Sequence, residues 1–337
     1  MRGCLTIGML VIMVTLSSQS GAAEKRKLRA GMIGLDTSHV PAFTKLINSP
    51  DAPGDLAYLE IVAGYPGGTD LPSSRNRVEK FTNQLRDMGV TIVSTIPELL
   101  KQVDVVLLES VDGRIHLEEA RQVIEAGKPL FIDKPVAGSL SDALEIFALA
   151  EKHKVPCFSS SSLRFSMGIA ELKAGSELGE LVGCTTWGPC SIQEGIPDMY
   201  FYGIHGIEAL FAAMGPGCET VTRTGTPGVD IVVGVWKDGR IGCFRGIRSG
   251  KAEFGATLYG SKAIQHSPGY GGYAPLVVEI AKFFQTHEPP VSPAETMEIF
   301  AFMEAADESK RLGGVPVSIA EMIENASGDS DSSNGSD

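Results

Sequence analysis

The chain has 337 residues, 29 of them basic and 41 acidic, for a formal charge of −12 with 43% hydrophobic side chains. A balance this acidic argues against nucleic acid or an anionic membrane surface as a partner. A chain of this length can bury a large core, so it does not need disulfides for stability.

Arg2 precedes an apolar run over residues 5–16, followed by Ser17-Ser18-Gln19-Ser20-Gly21-Ala22-Ala23. The run is too short to span a bilayer, and the small residues after it suit cleavage after Ala23. Residues 1–23 are therefore expected to be a signal peptide, and the mature protein to be periplasmic or secreted, with no membrane span. No twin-Arg pair precedes the run, so export as an unfolded chain is expected. Such a chain carries no cofactor loaded in the cytoplasm. Five cysteines follow: Cys157, Cys184, Cys190, Cys218 and Cys243. They are odd in number and have no metal-ligand spacing, so they read as buried thiols with room for one bridge.

From Leu28 onward, apolar runs alternate with amphipathic segments. Residues 28–35, 58–64, 103–110, 129–133 and 154–159 read as buried strands, and 39–48, 76–88, 96–103, 116–126 and 141–153 as helices. Thr95-Ile96-Pro97-Glu98 has the form of a capping box. This alternation predicts a doubly wound parallel sheet over residues 24–158. The character then changes. Residues 181–191, 219–226, 230–237, 240–247 and 252–259 read as longer strands, with Asp238-Gly239 as a hairpin turn. Helices are expected to start near Gly203 and to cover 273–286 and 293–312, the last with a Ser292 cap and Pro293 at its first turn. Residues 159–322 thus read as an α+β domain with a mainly antiparallel sheet, and 323–337 as a disordered acidic tail.

The richest stretch is Lys128-Pro129-Leu130-Phe131-Ile132-Asp133-Lys134-Pro135. An apolar strand ending in this way aims an ammonium at the carboxyl edge of a parallel sheet, where open α/β sheets bind ligands. A solvated Lys at a strand end is the plainer alternative.

Taken together, several motifs resemble the glucose-fructose oxidoreductase / inositol dehydrogenase / MocA family over nearly the whole mature chain. They are Met32-Ile33-Gly34, Val103-Asp104-Val105-Val106 with His116 opening a helix, and Ile124-Glu125-Ala126-Gly127-Lys128-Pro129. Asp133-Lys134-Pro135 stands where the family usually has Glu-Lys-Pro. Gly203-Ile204-His205-Gly206-Ile207-Glu208 is similar to the family's active-site helix, and the segment 305–317 also fits. The resemblance implies a Rossmann-like domain joined to an open-faced sheet that often mediates homo-oligomers. It also implies NAD or NADP as cofactor and a sugar or polyol as substrate. Lys134 and His205 would be catalytic. Gly34, Asp36, Thr37, Ser38, His39, Ser110, His116, Asp133 and Lys134 would border the cofactor, with His116 read more as a structural cap than as a proton carrier.

The sequence also departs from the pattern. The dinucleotide fingerprint asks for three glycines after the first strand, and here Asp36 and His39 replace the second and third. A carboxylate beside a pyrophosphate is repulsive. The second strand lacks a terminal acid for the ribose, Glu60 lying too early, and Arg75 or Arg77 could instead meet a 2′-phosphate. Phe201 stands one turn before His205, where the family commonly has an Asp, leaving Asp198 or Tyr202 as substitute partners. A second reading therefore stays open, with the fold turned to non-redox carbohydrate chemistry or sugar binding. Asp36 and His39 would then act as base and orienter, or be no more than a cap and a surface His. Binding of a divalent metal by the pair is a further alternative, but two such residues are a weak metal signal and no metal ligands are assigned. A cofactor-free envelope binding protein is a third possibility.

Overall fold

The computed structural model describes residues 26–333; the expected signal peptide lies outside them, as do residues 334–337. Six strands form the first sheet: β1 (Leu28–Ile33), β2 (Leu59–Tyr65), β3 (Thr91–Ile92), β4 (Val105–Leu108), β5 (Leu130–Asp133) and β6 (Cys157–Ser160). Their order is β3-β2-β1-β4-β5-β6, and every pairing is parallel. This is the doubly wound sheet expected from the alternation. Side chains alternate between its faces. Ala30, Met32, Val105, Leu107 and Phe131 enter one core, and Ile33, Val106, Leu108, Leu130 and Ile132 the other.

The helices of this half are α1 (His39–Ile47), α2 (Pro72–Arg75), α3 (Val78–Asp87), α4 (Ile96–Leu100), α5 (His116–Glu125) and α6 (Leu140–His153). Thr95 caps the helix by accepting the Glu98 N–H, and the Glu98 carboxylate accepts the Ser94 N–H, one residue before the position the capping box expects. Beyond β6 come α7 (Leu163–Ser166), α8 (Ile169–Ala174), α9 (Gly203–Met214), α10 (Ala274–Thr286), α11 (Pro293–Arg311) and α12 (Ile319–Ser333). The second sheet contains β7 (Leu181–Pro189), β8 (Cys218–Thr226), β9 (Val229–Trp236), β10 (Ile241–Ile247), β11 (Gly255–Gly260), β12 (Ile264–His266) and β13 (Val317–Ser318). Its order is β12-β11-β7-β10-β9-β8-β13, antiparallel throughout except for β7 beside β10. Helix α9 lies close on the inner face because Gly206 leaves room for the Phe244 ring. The outer face exposes Val182, Val235, Ile241, Tyr259 and Ile264.

Three features differ from the sequence expectations. The first sheet continues through Ser160, beyond residue 158. Helix α10, far along the chain, packs Leu276, Val277, Ile280 and Phe283 into the first domain's core beside Phe43 and Phe158. The expected disordered tail is helical as far as Ser333. Met322, Ile323 and Ala326 pack against the main core, and this apolar stripe holds the segment. The five cysteines are all unpaired. No described helix is long and apolar enough to cross a membrane.

Candidate active site

At the carboxyl edge of the first sheet, facing the second domain, lies a cavity of about 140 Å³. One wall comes from Thr37, Ser38 and His39 at the start of α1, with Arg77, Val111 and Lys134. The opposite wall is Phe201, Tyr202 and His205 around the start of α9, with Phe254 and Tyr270, and Tyr273 lines the cavity beside His39. Lys134 and His205, separated by 71 positions in sequence, thus meet in one space. The strand end at Lys134 and the helix at Gly203 are where the chain pattern puts them.

His205 is buried, with Nδ1 2.7 Å from Ser161 Oγ. Ser161, just past β6, also accepts the Leu163 N–H at 3.2 Å. This engagement leaves Nε2 as the ring nitrogen free for the cavity. Burial, with the nearby charges of Lys134 and His39, pushes the imidazole well below its ordinary range, so it is neutral at neutral pH. Tyr202 and Phe254 meet the ring edge-on, at 5.4 and 5.8 Å between centroids. Asp198 does not serve as its partner. It is bound to Arg223, Arg248 and Lys310 in an ion cluster of the second domain. Glu208 also turns away from the cavity, held by Arg164 at 2.8 Å.

The residues replacing the glycines behave differently from each other. Gly34 keeps the tight turn at φ +81°, and a Cβ there would lie 2.4 Å from the Ser110 backbone. Asp36 points inward. It accepts the Ser74 hydroxyl at 2.5 Å and the Val111 N–H at 2.9 Å, fastening the β1 turn to α2 and to the loop after β4. Burial outweighs those bonds and raises its pKa. Asp36 is fully buried and absent from the cavity lining, so it is neither aimed at a bound phosphate nor paired with His39. His39 instead bonds Asp133, Nδ1 to Oδ2 at 2.7 Å, with Glu109 Oε2 4.0 Å away. Phe43 stacks on its ring and Tyr273 meets it edge-on. Burial opposes ionisation of Asp133, but the His39 charge and hydrogen bond hold its pKa below the usual range.

Ser110 and His116 lie beneath the lining. Ser110 Oγ donates to Glu119 at 2.7 Å, and His116 is fully buried between the Ser110 and Val136 carbonyls. Burial lowers the His116 pKa, consistent with a structural tie between two loops. Among the arginines, Arg75 is exposed, whereas Arg77 lines the cavity with its buried Nη2 unpartnered. Sequence reasoning passed over Glu109, Ser161 and the rings of Phe254, Tyr270 and Tyr273. Glu109 carried a usable signal, since Leu107-Leu108-Glu109 is a buried strand ending in an acid, as is Phe131-Ile132-Asp133. Ser161 had none beyond its place after a strand.

A Rossmann-type parallel sheet, an open-faced second sheet, and a Lys and His facing each other at their seam define a two-domain α/β protein. Residues 71–161 match the model of an oxidoreductase family with an NAD-binding Rossmann fold. The myo-inositol dehydrogenase Hyg17 of Streptomyces leeuwenhoekii is 29% identical over 105 residues, 31% of this chain and 32% of that one. The match therefore spans about a third of that curated relative. A putative NADPH-dependent oxidoreductase from Desulfitobacterium hafniense superposes with a TM-score of 0.71 at 18% identity, over 88% of this chain and 99% of that one. Scyllo-inositol dehydrogenase of Lactobacillus casei, solved with NAD(H) and scyllo-inositol, gives 0.69 at 12% identity, over 88% and 100%. The segment 71–161 is thus similar to the Gfo/Idh/MocA oxidoreductase family, and at these identities the superpositions speak to fold alone.

Proposed function

We propose that this protein is a nicotinamide-dependent oxidoreductase that oxidises a secondary hydroxyl of a sugar or polyol, or reduces the matching ketone. The observation that carries the reading is the pairing of Lys134 with a neutral His205 across one cavity. A substrate hydroxyl placed between them meets a base and a cation together. His205, its Nδ1 engaged by Ser161, takes the hydroxyl proton on Nε2. The Lys134 ammonium stabilises the negative charge that builds on the oxygen. When bound, NAD or NADP supplies the hydride acceptor for the carbinol carbon.

The chain's own residues fit such a cofactor at its anionic part. Thr37 and Ser38 offer hydroxyls at the start of α1, where the helix dipole favours negative charge. Arg77 adds a buried guanidinium nitrogen without a partner. The inward turn of Asp36 removes the repulsion that its place in the fingerprint suggests. We extend the proposal to an exported homo-oligomer, on the apolar run at residues 5–16 and the exposed apolar face of the second sheet.

The test is to titrate the purified protein with NAD and NADP, after checking by absorbance and mass spectrometry for nicotinamide already bound. Micromolar binding of one of them, with turnover on a member of a polyol panel, is expected. No bound nicotinamide and no affinity below millimolar would sink the redox reading.

A further inference from the structure

Glu109, at the end of β4, is fully buried, and neither of its carboxylate oxygens has a hydrogen-bond partner. Asp133, at the end of β5 and 2% exposed, leaves Oδ1 unpartnered as well. His39 stands between them, 2.7 Å from Asp133 Oδ2 and 4.0 Å from Glu109 Oε2. One ligating atom from each residue lies within 4.8 Å of the other two. Buried carboxylate oxygens are costly unless a cation or a donor meets them. Lys134 lies near both acids and His39 hydrogen-bonds Asp133 alone, so Glu109 keeps no hydrogen-bond partner on either oxygen.

We propose that His39, Glu109 and Asp133 bind one divalent transition-metal ion and leave it an open position toward the cavity. Around an ion with ligands at roughly 2.0–2.2 Å, neighbouring ligand atoms lie about 3.0–3.5 Å apart. The present separations bracket that range, so small side-chain rotations complete the site. An imidazole nitrogen with two carboxylates suits zinc or manganese better than calcium or magnesium, which prefer all-oxygen shells. The ligands sit at the start of α1 and at the ends of β4 and β5, three rigid points on one sheet edge. Phe43 and Tyr273 fix the His39 ring from two sides. Because His39 lines the cavity, the ion would face it and take a water or a substrate oxygen as a further ligand. Three protein ligands with an open position is the pattern of catalytic rather than structural metal sites. This goes beyond the dinucleotide reading and does not depend on it.

The experiment uses the full mature chain, free of any affinity tag, stripped with chelator and dialysed against Zn²⁺ or Mn²⁺ with no nucleotide present. Mass spectrometry of the metal content is expected to give one ion per chain, with micromolar or tighter affinity. Glu109→Gln and His39→Gln should each weaken binding on the order of 100-fold or more. Glu109→Asp, which keeps a carboxylate, should retain part of it. Co²⁺ should give a visible absorption spectrum in the wild type that Glu109→Gln loses. Circular dichroism and melting of the stripped variants separate lost binding from lost folding, and Glu109→Asp keeps the test open if Glu109→Gln does not fold. No uptake at millimolar free metal, or uptake unchanged in Glu109→Gln, overturns the proposal. Failure of NAD or NADP to bind leaves this result standing, and the reverse also holds.

Discussion

The two walls of the cavity are built from different physics. The wall from the first sheet is ionic, with Lys134, His39 and Arg77 at the surface and Asp36, Glu109, Asp133 and Glu119 beneath. The facing wall from the second domain is aromatic and uncharged apart from its histidine, which burial keeps neutral. In the proposed reaction the two sides would divide the labour: Lys134 on the first wall meets the developing charge, and the rings around His205 on the second select what lies against that base.

The strongest way to break that division is to neutralise the ionic wall. Lys134→Met keeps the apolar stem and removes the ammonium. Turnover should fall by roughly 100- to 1,000-fold, the scale seen when one stabilising group at a developing oxyanion is lost. KM should change far less, and melting should confirm an intact fold. A loss under about tenfold would mean that the charge does not act on the reacting oxygen.

A smaller effect, on stability, should come from Glu119 under the same wall. Burial, outweighing the Ser110 hydroxyl's hydrogen bond, pushes its pKa up to about 8 from an ordinary 4.5. The folded chain therefore holds this proton more tightly than the unfolded chain. That stabilisation is fully present below 4.5 and is lost as pH rises through 8. Glu119→Gln cannot ionise, so relative to wild type it should gain stability as pH rises from about 4.5 to about 8, by up to roughly 5 kcal/mol. Denaturant unfolding of both proteins across that range measures it. Parallel pH dependence in the two would show that Glu119 is not held protonated.

The two walls were also unequally legible in the sequence. Strand β5 and Lys134 just past it follow from a short apolar run with a charged end, a signal local to eight residues. The same logic reached the parallel sheet and the Gly203 helix. Asp36 and His39 were visible as departures from a glycine pattern, but not where they point. Asp36 turns inward because Ser74 and the Val111 N–H, 38 and 75 positions away, meet it. His39 pairs with Asp133 across 94 positions. Contacts of that separation leave no trace in periodicity. The rings of Phe254, Tyr270 and Tyr273 were hidden for the same reason, since they sit on loops and a helix start with no motif. At the start of the expected tail, composition hid Ile323 and Ala326, which with Met322 pack against the main core.

The aromatic wall should give the smallest and most selective response. Tyr270 lines the cavity, and its hydroxyl lies 3.5 Å from Ser162 Oγ, a contact loose enough to be exchanged for a substrate hydroxyl. Burial pushes its phenol up to about 12, so it stays protonated through any ordinary assay. Tyr270→Phe removes one donor and acceptor while keeping the ring. A neutral hydrogen bond contributes about 1 kcal/mol, so KM for the best polyol should rise roughly fivefold while kcat holds. Because the phenol does not titrate near neutrality, that ratio should be the same from about pH 6 to about pH 9. Stereoisomers of the substrate should suffer unequally, since only those presenting a hydroxyl toward Tyr270 lose a partner. A fall in kcat equal to the rise in KM would mean that this wall also shapes the transition state, and the separation of selection from charge handling would not hold.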